Sequence, residues 1–236
     1  MHRIARLFTL SLSALAFDAW AVADAGTEFA DTLEQRLIGC SFCHGKQGEG
    51  HRQNEYYPRI AGKPPEYLYR QLVNFRDGRR TYPQMVYMSR HLSDEYLREI
   101  AVFYSKLAPP FPTPIQPSAT KEALARGEQI VRNGDQAKGI PACVTCHGKA
   151  LTGMLPGVPG LVGLFPDYIN GQMGAWRSGL RRATDPDCMA RIAQRLSGAD
   201  SAAAAAYLAS LPGTPNSLPA PAAQQKLPMN CGSQPQ

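Results

Sequence analysis

Two five-residue frames constrain this chain more than anything else in it: Cys40-Ser41-Phe42-Cys43-His44 and Cys143-Val144-Thr145-Cys146-His147. Two thiols on one helical turn can reach the two vinyl groups of a single porphyrin, and the histidine that follows then lies beneath the iron. C-x-x-C-H is the attachment pattern of c-type haem. The frames therefore predict two covalent haem c groups, one on Cys40 and Cys43 with His44 as axial iron ligand, the other on Cys143 and Cys146 with His147. Zinc also favours Cys-x-x-Cys pairs. These pairs lie 103 residues apart, each with its own histidine in the same place, which suits two haems better than one zinc knuckle.

The frames sit in a longer repeat. Pro58-Arg59-Ile60-Ala61-Gly62 returns as Pro159-Gly160-Leu161-Val162-Gly163, and Gln71, Phe75, Arg76, Gly78 and Arg80 return as Gln172, Trp176, Arg177, Gly179 and Arg181, all at an offset of 101. Leu92-Ser93 returns as Leu196-Ser197 at an offset of 104. Shared offsets are what a duplication leaves behind. The expected organisation is a first unit at 27–108, a proline-rich linker at 109–119, a second unit at 120–212 and a Pro/Ala-rich tail at 213–236. Helical spacing of apolar residues predicts all-α units, with helices over Glu28–Ile38, Glu66–Asp77, Ser93 to about Leu107, and 198–210. Ser93 is a good N-cap, followed by acidic Asp94 and Glu95.

A haem iron held by one histidine takes a sixth ligand or stays open, and that choice separates electron transfer from catalysis. The first unit offers Met85, Met88, His51 and His91; the second offers Met154, Met173, Cys188 and Met189. Met85 lies seven residues before Leu92, and Met189 seven before Leu196. Met88 faces Ile192 in the repeat, and His91 faces Arg195. Met85 and Met189 are the pair in register, and they are the expected axial ligands. The carbonyls of Pro58 and Pro159 are expected to orient the two histidines through the other ring nitrogen. Arg76, Arg80, Arg177 and Arg181 are candidates to meet haem propionates or to line the face between units.

The N-terminus has the three parts of an export signal: Arg3 and Arg6, the apolar run Leu7–Phe17, and Ala21-Val22-Ala23 or Ala23-Asp24-Ala25 for cleavage. A signal peptide over 1–23 implies a periplasmic protein. No later stretch reaches the roughly 20 apolar residues of a membrane-spanning helix, which leaves peripheral membrane association as the closest attachment. The formal charge of +6 becomes +5 once residues 1–23 are lost. With no dense Lys/Arg tract, that excess points to no nucleic acid.

The repeat, both frames, the Tyr-x-x-x-Gln-x-x-x-aromatic-Arg helix and the methionine seven before Leu-Ser resemble the dihaem cytochrome c4 family, over roughly residues 27–211. The resemblance implies two tandem class I cytochrome c domains, each around one covalent haem. It also implies electron transfer between respiratory partners, toward a terminal oxidase or reductase. Two saturated irons leave no substrate site, so the chain is expected to be no enzyme. An alternative is a cytochrome subunit of a dehydrogenase complex, taking electrons from a flavin or quinone-cofactor partner. A weaker one is a dihaem enzyme of peroxidase or thiosulfate-oxidising type. Cys188 and Cys231 depart from the family pattern. A disulfide, two free thiols and Cys188 as iron ligand all stay open.

Overall fold

The structure is a computed structural model that describes residues 32–51, 56–116, 118–214, 218–222 and 227–234. The export signal over 1–23 and the start of the helix expected from Glu28 lie outside those residues.

Each helix begins where local chemistry supplies a cap. In the first unit the helices are α1 (Leu33–Arg36), α2 (Ile38–His44), α3 (Pro65–Arg76), α4 (Pro83–Ser89) and α5 (Asp94–Lys106). Thr32 accepts the Gln35 N–H and Ser93 accepts that of Tyr96, each satisfying a backbone donor that the helix leaves unpaired. Prolines open α3 and α4, where a missing N–H costs nothing. The single helix expected over Glu28–Ile38 is broken at Leu37, which is buried in the core. Its continuation runs through the first Cys frame to His44.

The second unit holds α6 (Lys121–Asn133), α7 (Cys143–His147), α8 (Pro166–Arg177), α9 (Cys188–Arg195) and α10 (Gly198–Ser210). One two-residue hairpin, β1 (Gly153–Met154) against β2 (Val158–Pro159), was not expected. Period-2 alternation cannot show in elements that short. Helix α10 is mostly alanine and lies close along α6; a Cβ at Gly127 would strike the Ala203 carbonyl.

Leu37, Leu68, Leu97, Ile100 and Tyr104 form the first core. Ile130, Val131, Ile140, Leu151 and Leu208 anchor the second. The proline-rich linker is tied down on both sides. The Arg59 guanidinium donates to the Pro109 and Pro110 carbonyls at 2.7 and 2.9 Å and lies 4.3 Å over the Phe111 ring. Ile115 N–H reaches the Ala209 carbonyl at 3.0 Å. The tail is pinned too: Ala220 pairs with Gly153 and Leu155, and Cys231 is bonded to Cys188. Among the described residues, no helix is long and apolar enough to cross a membrane.

Asp200, buried at the start of α10, accepts from Arg126 Nε at 2.8 Å and Lys138 Nζ at 2.5 Å. Those bonds join α6, the 136–138 turn and α10, and the Arg126 hydrogen bond does most to hold the Asp200 carboxyl far below the usual carboxylate range. A depressed carboxylate stabilises above its unfolded pKa, and that stability is lost as pH falls toward the folded value. Asp200→Asn is expected to cost about 2 kcal/mol, the scale of hydrogen bonds to charged groups, and to weaken the loss of stability on acidification. Denaturant unfolding of the holoprotein at neutral and acid pH checks this; an unchanged acid limb would contradict it.

Candidate functional site

Both Cys frames end in the same local device. Helix α2 stops at Gly45 and α7 at Gly148, each with φ near +84°, a left-handed conformation that glycine adopts without strain. The chain then doubles back. A Cβ at Gly50 would lie 2.7 Å from the Arg59 nitrogen, and one at Gly153 2.7 Å from that of Gly160. This close approach brings Pro58 under His44 and Pro159 under His147. His44 Nδ1 lies 2.9 Å from the Pro58 carbonyl, and His147 Nδ1 lies 2.7 Å from that of Pro159.

A carbonyl can only accept, so Nδ1 carries the proton and Nε2 keeps its lone pair. Desolvation is the largest influence on both rings and lowers their pKa values. Each site therefore presents a neutral imidazole in a fixed orientation, which is what an iron ligand requires. Burial also raises the Cys40 and Cys146 thiols and pushes Cys143 up to about 11. Thiols of this kind are no preformed thiolate cage, and no cluster of three or more His, Cys, Asp or Glu suits a metal ion among the described residues.

One cavity of about 450 Å³ runs across both units. Cys40, His44 and Met85 line it in the first unit; Cys143, Cys146, His147 and Met189 line it in the second. The two methionines in register are thus on the cavity wall, on α4 and α9. Met88 is 42% exposed and does not line the cavity, its Cε lying against Gly39 of α2, and Met154 is buried outside the cavity. His51 packs edge-on against Tyr57, and His91 is exposed. Met173 also lines the cavity, as does Met229 from the tail. Met229 has no mate in the repeat, so register could not have found it. Cys188 is held in its disulfide, and the reading of Cys188 as an iron ligand is thereby replaced.

The walls fit a haem. Among the described residues, Trp176 Nε1 and one terminal nitrogen of Arg70 are buried cavity-lining donors with no hydrogen-bond acceptor. Such donors are rare in a finished interior. Arg80 and Arg181, both under a tenth exposed, meet at the seam between the units. Arg80 donates to Gln71, Tyr168 and Gln172; Arg181 donates to Gln172, Tyr67 and Gln71. Their backbones form an antiparallel bridge, flanked by Thr81 N–H to the Leu180 carbonyl and Arg182 N–H to that of Arg79, both 2.7 Å. Among the described residues neither guanidinium has a carboxylate partner within salt-bridge range. Two buried cations side by side call for an anion, a charge that haem propionates would supply. Arg76 and Arg177, the other candidates, turn elsewhere: Arg76 to Asp77 and Asp94, Arg177 to the Leu196 carbonyl.

Known proteins share this architecture. The chain is 40% identical over 179 residues to a "Thiosulfate dehydrogenase electron acceptor" of Thiomonas intermedia, covering 75% of this chain and 80% of that one. It is 32% identical over 212 residues to "Cytochrome c4" of Pseudomonas aeruginosa, covering 88% and 97%. Among solved structures it superposes with a TM-score of 0.65 on reduced cytochrome c4 from Pseudomonas stutzeri, at 28% identity over 75% of this chain and 96% of that one. A thiosulfate dehydrogenase (TsdBA) from Marichromatium purpuratum gives 0.66 at 32% identity; 72% of this chain matches, but it spans only 36% of that longer chain. No protein-family model matches.

The tail offers a direct check on the second pocket. The Cys188–Cys231 bond closes a separation of 43 residues, for which loop entropy suggests about 4 kcal/mol. Cys231→Ser is expected to free residues 227–234 to proteolysis and to speed imidazole binding at the second haem only. Equal ligand-binding rates in the variant and the parent would show that the tail does not cover this pocket.

Proposed function

The chain belongs to the cytochrome c4 family, and on that premise we propose that it is a periplasmic electron carrier accepting electrons from a thiosulfate dehydrogenase and passing them toward a terminal oxidase or reductase. It is a dihaem c-type cytochrome of electron transfer, with two covalently bound haem c groups as cofactors. We assign one haem to each of the units 27–108 and 120–212. Cys40 and Cys43 hold the first, with His44 and Met85 on its iron; Cys143 and Cys146 hold the second, with His147 and Met189.

The haem supplies a one-electron couple. The chain supplies everything that sets it. The Pro58 and Pro159 carbonyls hold each imidazole in one orientation through Nδ1. Met85 and Met189 offer soft thioether sulfur, which favours a relatively high potential. The apolar walls exclude water, and the seam arginines offer charge to the propionates. The observation that carries this reading is the cavity itself, which brings His44, Met85, His147 and Met189 together. With both sixth positions filled, neither iron keeps a place for substrate, so the chain carries electrons and catalyses no reaction itself.

The donor rests on likeness to the Thiomonas protein named for that role and to a second of the same name from Stutzerimonas stutzeri. A second reading, a standing subunit of a dehydrogenase complex, draws on the longer Marichromatium chain. The test is rapid mixing of oxidised holoprotein with a thiosulfate dehydrogenase and thiosulfate, followed at the haem alpha band. Reduction of both haems is expected, with a rate that falls as salt screens the charged encounter. No reduction, in a sample that a small-molecule reductant converts fully, would overturn the donor assignment. Co-elution of the two proteins in gel filtration would favour the subunit reading.

A further inference from the structure

The two haem pockets are copies, but two buried cations of the first unit have uncharged mates in the second: Arg59 faces Gly160 and turns its guanidinium to the linker carbonyls of Pro109 and Pro110, and Lys63 faces Leu164. Lys63 is 6% exposed, on the loop between Pro58 and α3. Its ammonium crosses the seam and donates to the Gly160 carbonyl at 2.7 Å. Gly160 follows Pro159, whose own carbonyl accepts from His147. Lys63 therefore stands one peptide away from the bond that orients the second proximal histidine, on the cavity wall. Its repeat mate, at the offset of 101, is Leu164, an apolar side chain on the same cavity. The seam arginines come as a matched pair, one from each unit; Lys63 has no counterpart.

We propose that Lys63 is a tuning residue that raises the reduction potential of the second haem relative to the first. A buried cation favours the iron state with the lower positive charge, and a low-dielectric surrounding strengthens that preference. Among the described residues no carboxylate pairs with Lys63 to cancel the effect. The charged or titratable groups nearest it are Arg59 on its own loop and His147 beyond the Pro159–Gly160 peptide; the linker at Pro109–Phe111 brings none. Burial, with Arg59 second, brings the ammonium down to about 7. Its charge therefore weakens as pH rises through neutrality. The inference rests on the assignment of His147 to the second iron.

The experiment is an optical redox titration of the holoprotein and of Lys63→Met, Lys63→Gln and Lys63→Arg, with Met85→His used to identify which wave belongs to the first haem. Lys63→Met is expected to shift the second reduction equilibrium roughly tenfold toward the oxidised form, about 59 mV for a one-electron couple, while the first wave stays in place. Lys63→Arg keeps the wild-type gap between the waves. In the wild type the gap narrows as pH rises through neutrality; in Lys63→Met it does not change with pH. Lys63→Gln, which can still donate to Gly160, separates charge from packing and is expected to follow Lys63→Met. An unchanged gap in both neutral variants, or an equal shift of both waves, overturns the inference. Absence of the methionine-to-iron band from the wild-type second haem would instead defeat the ligand assignment on which it rests.

Discussion

Each unit is organised round one hydrogen bond, from the Nδ1–H of a buried histidine to a proline carbonyl 12 or 14 residues further on. The bond needs the chain to leave the Cys frame and return over it within a few residues. That return sets the left-handed glycines at 45, 50, 148 and 153. It also fixes which side of the frame is wall and which is cavity. Helices α3 and α8 then close the same cavity from the seam, and α4 and α9 bring Met85 and Met189 to its rim. Units of this size bury too little apolar surface to be secure alone, and a covalent haem completes each interior.

The seam follows from the same repetition. Because the units are copies, each offers a tyrosine, a glutamine and an arginine, and each arginine is satisfied largely by the other unit's residues. Arg80 lies 4.5 Å over its own Phe75 ring and Arg181 3.8 Å over its own Trp176 ring. Cation–π contact and neutral hydrogen bonds orient these guanidiniums without discharging them. In the proposed carrier these guanidiniums would be placed to meet haem propionates at the seam. The copies differ where function can use a difference: Lys63 opposite Leu164, and a tail pinned to the second unit by a disulfide.

Much of this was legible because duplication gives a sequence its own internal alignment. The register that paired Met85 with Met189 also set aside Met88, which the structure leaves partly exposed and off the cavity wall. The cap at Ser93 and the proline carbonyls under the histidines could also be read from the sequence. Three things could not. The break at Leu37 depends on a core contact that local pattern does not carry. The anchoring of the linker depends on Arg59 reaching some 50 residues along the chain to Pro109 and Pro110. Register was silent on Met229 and on the partner of Cys188, because the tail has no copy. Lys63 was visible as a mismatch with Leu164, but its burial across the seam required coordinates.

In the proposed carrier, two histidine–methionine pairs saturate both irons. That saturation is tested most directly by near-infrared spectroscopy of the oxidised holoprotein, where a methionine-to-iron charge-transfer band reports that ligand. One such band is expected from each haem, with loss of one on Met85→Ala and of the other on Met189→Ala. A band that survives Met189→Ala, with Met173 or Met229 in its place, or a second haem that is high-spin in the unaltered protein, would contradict it.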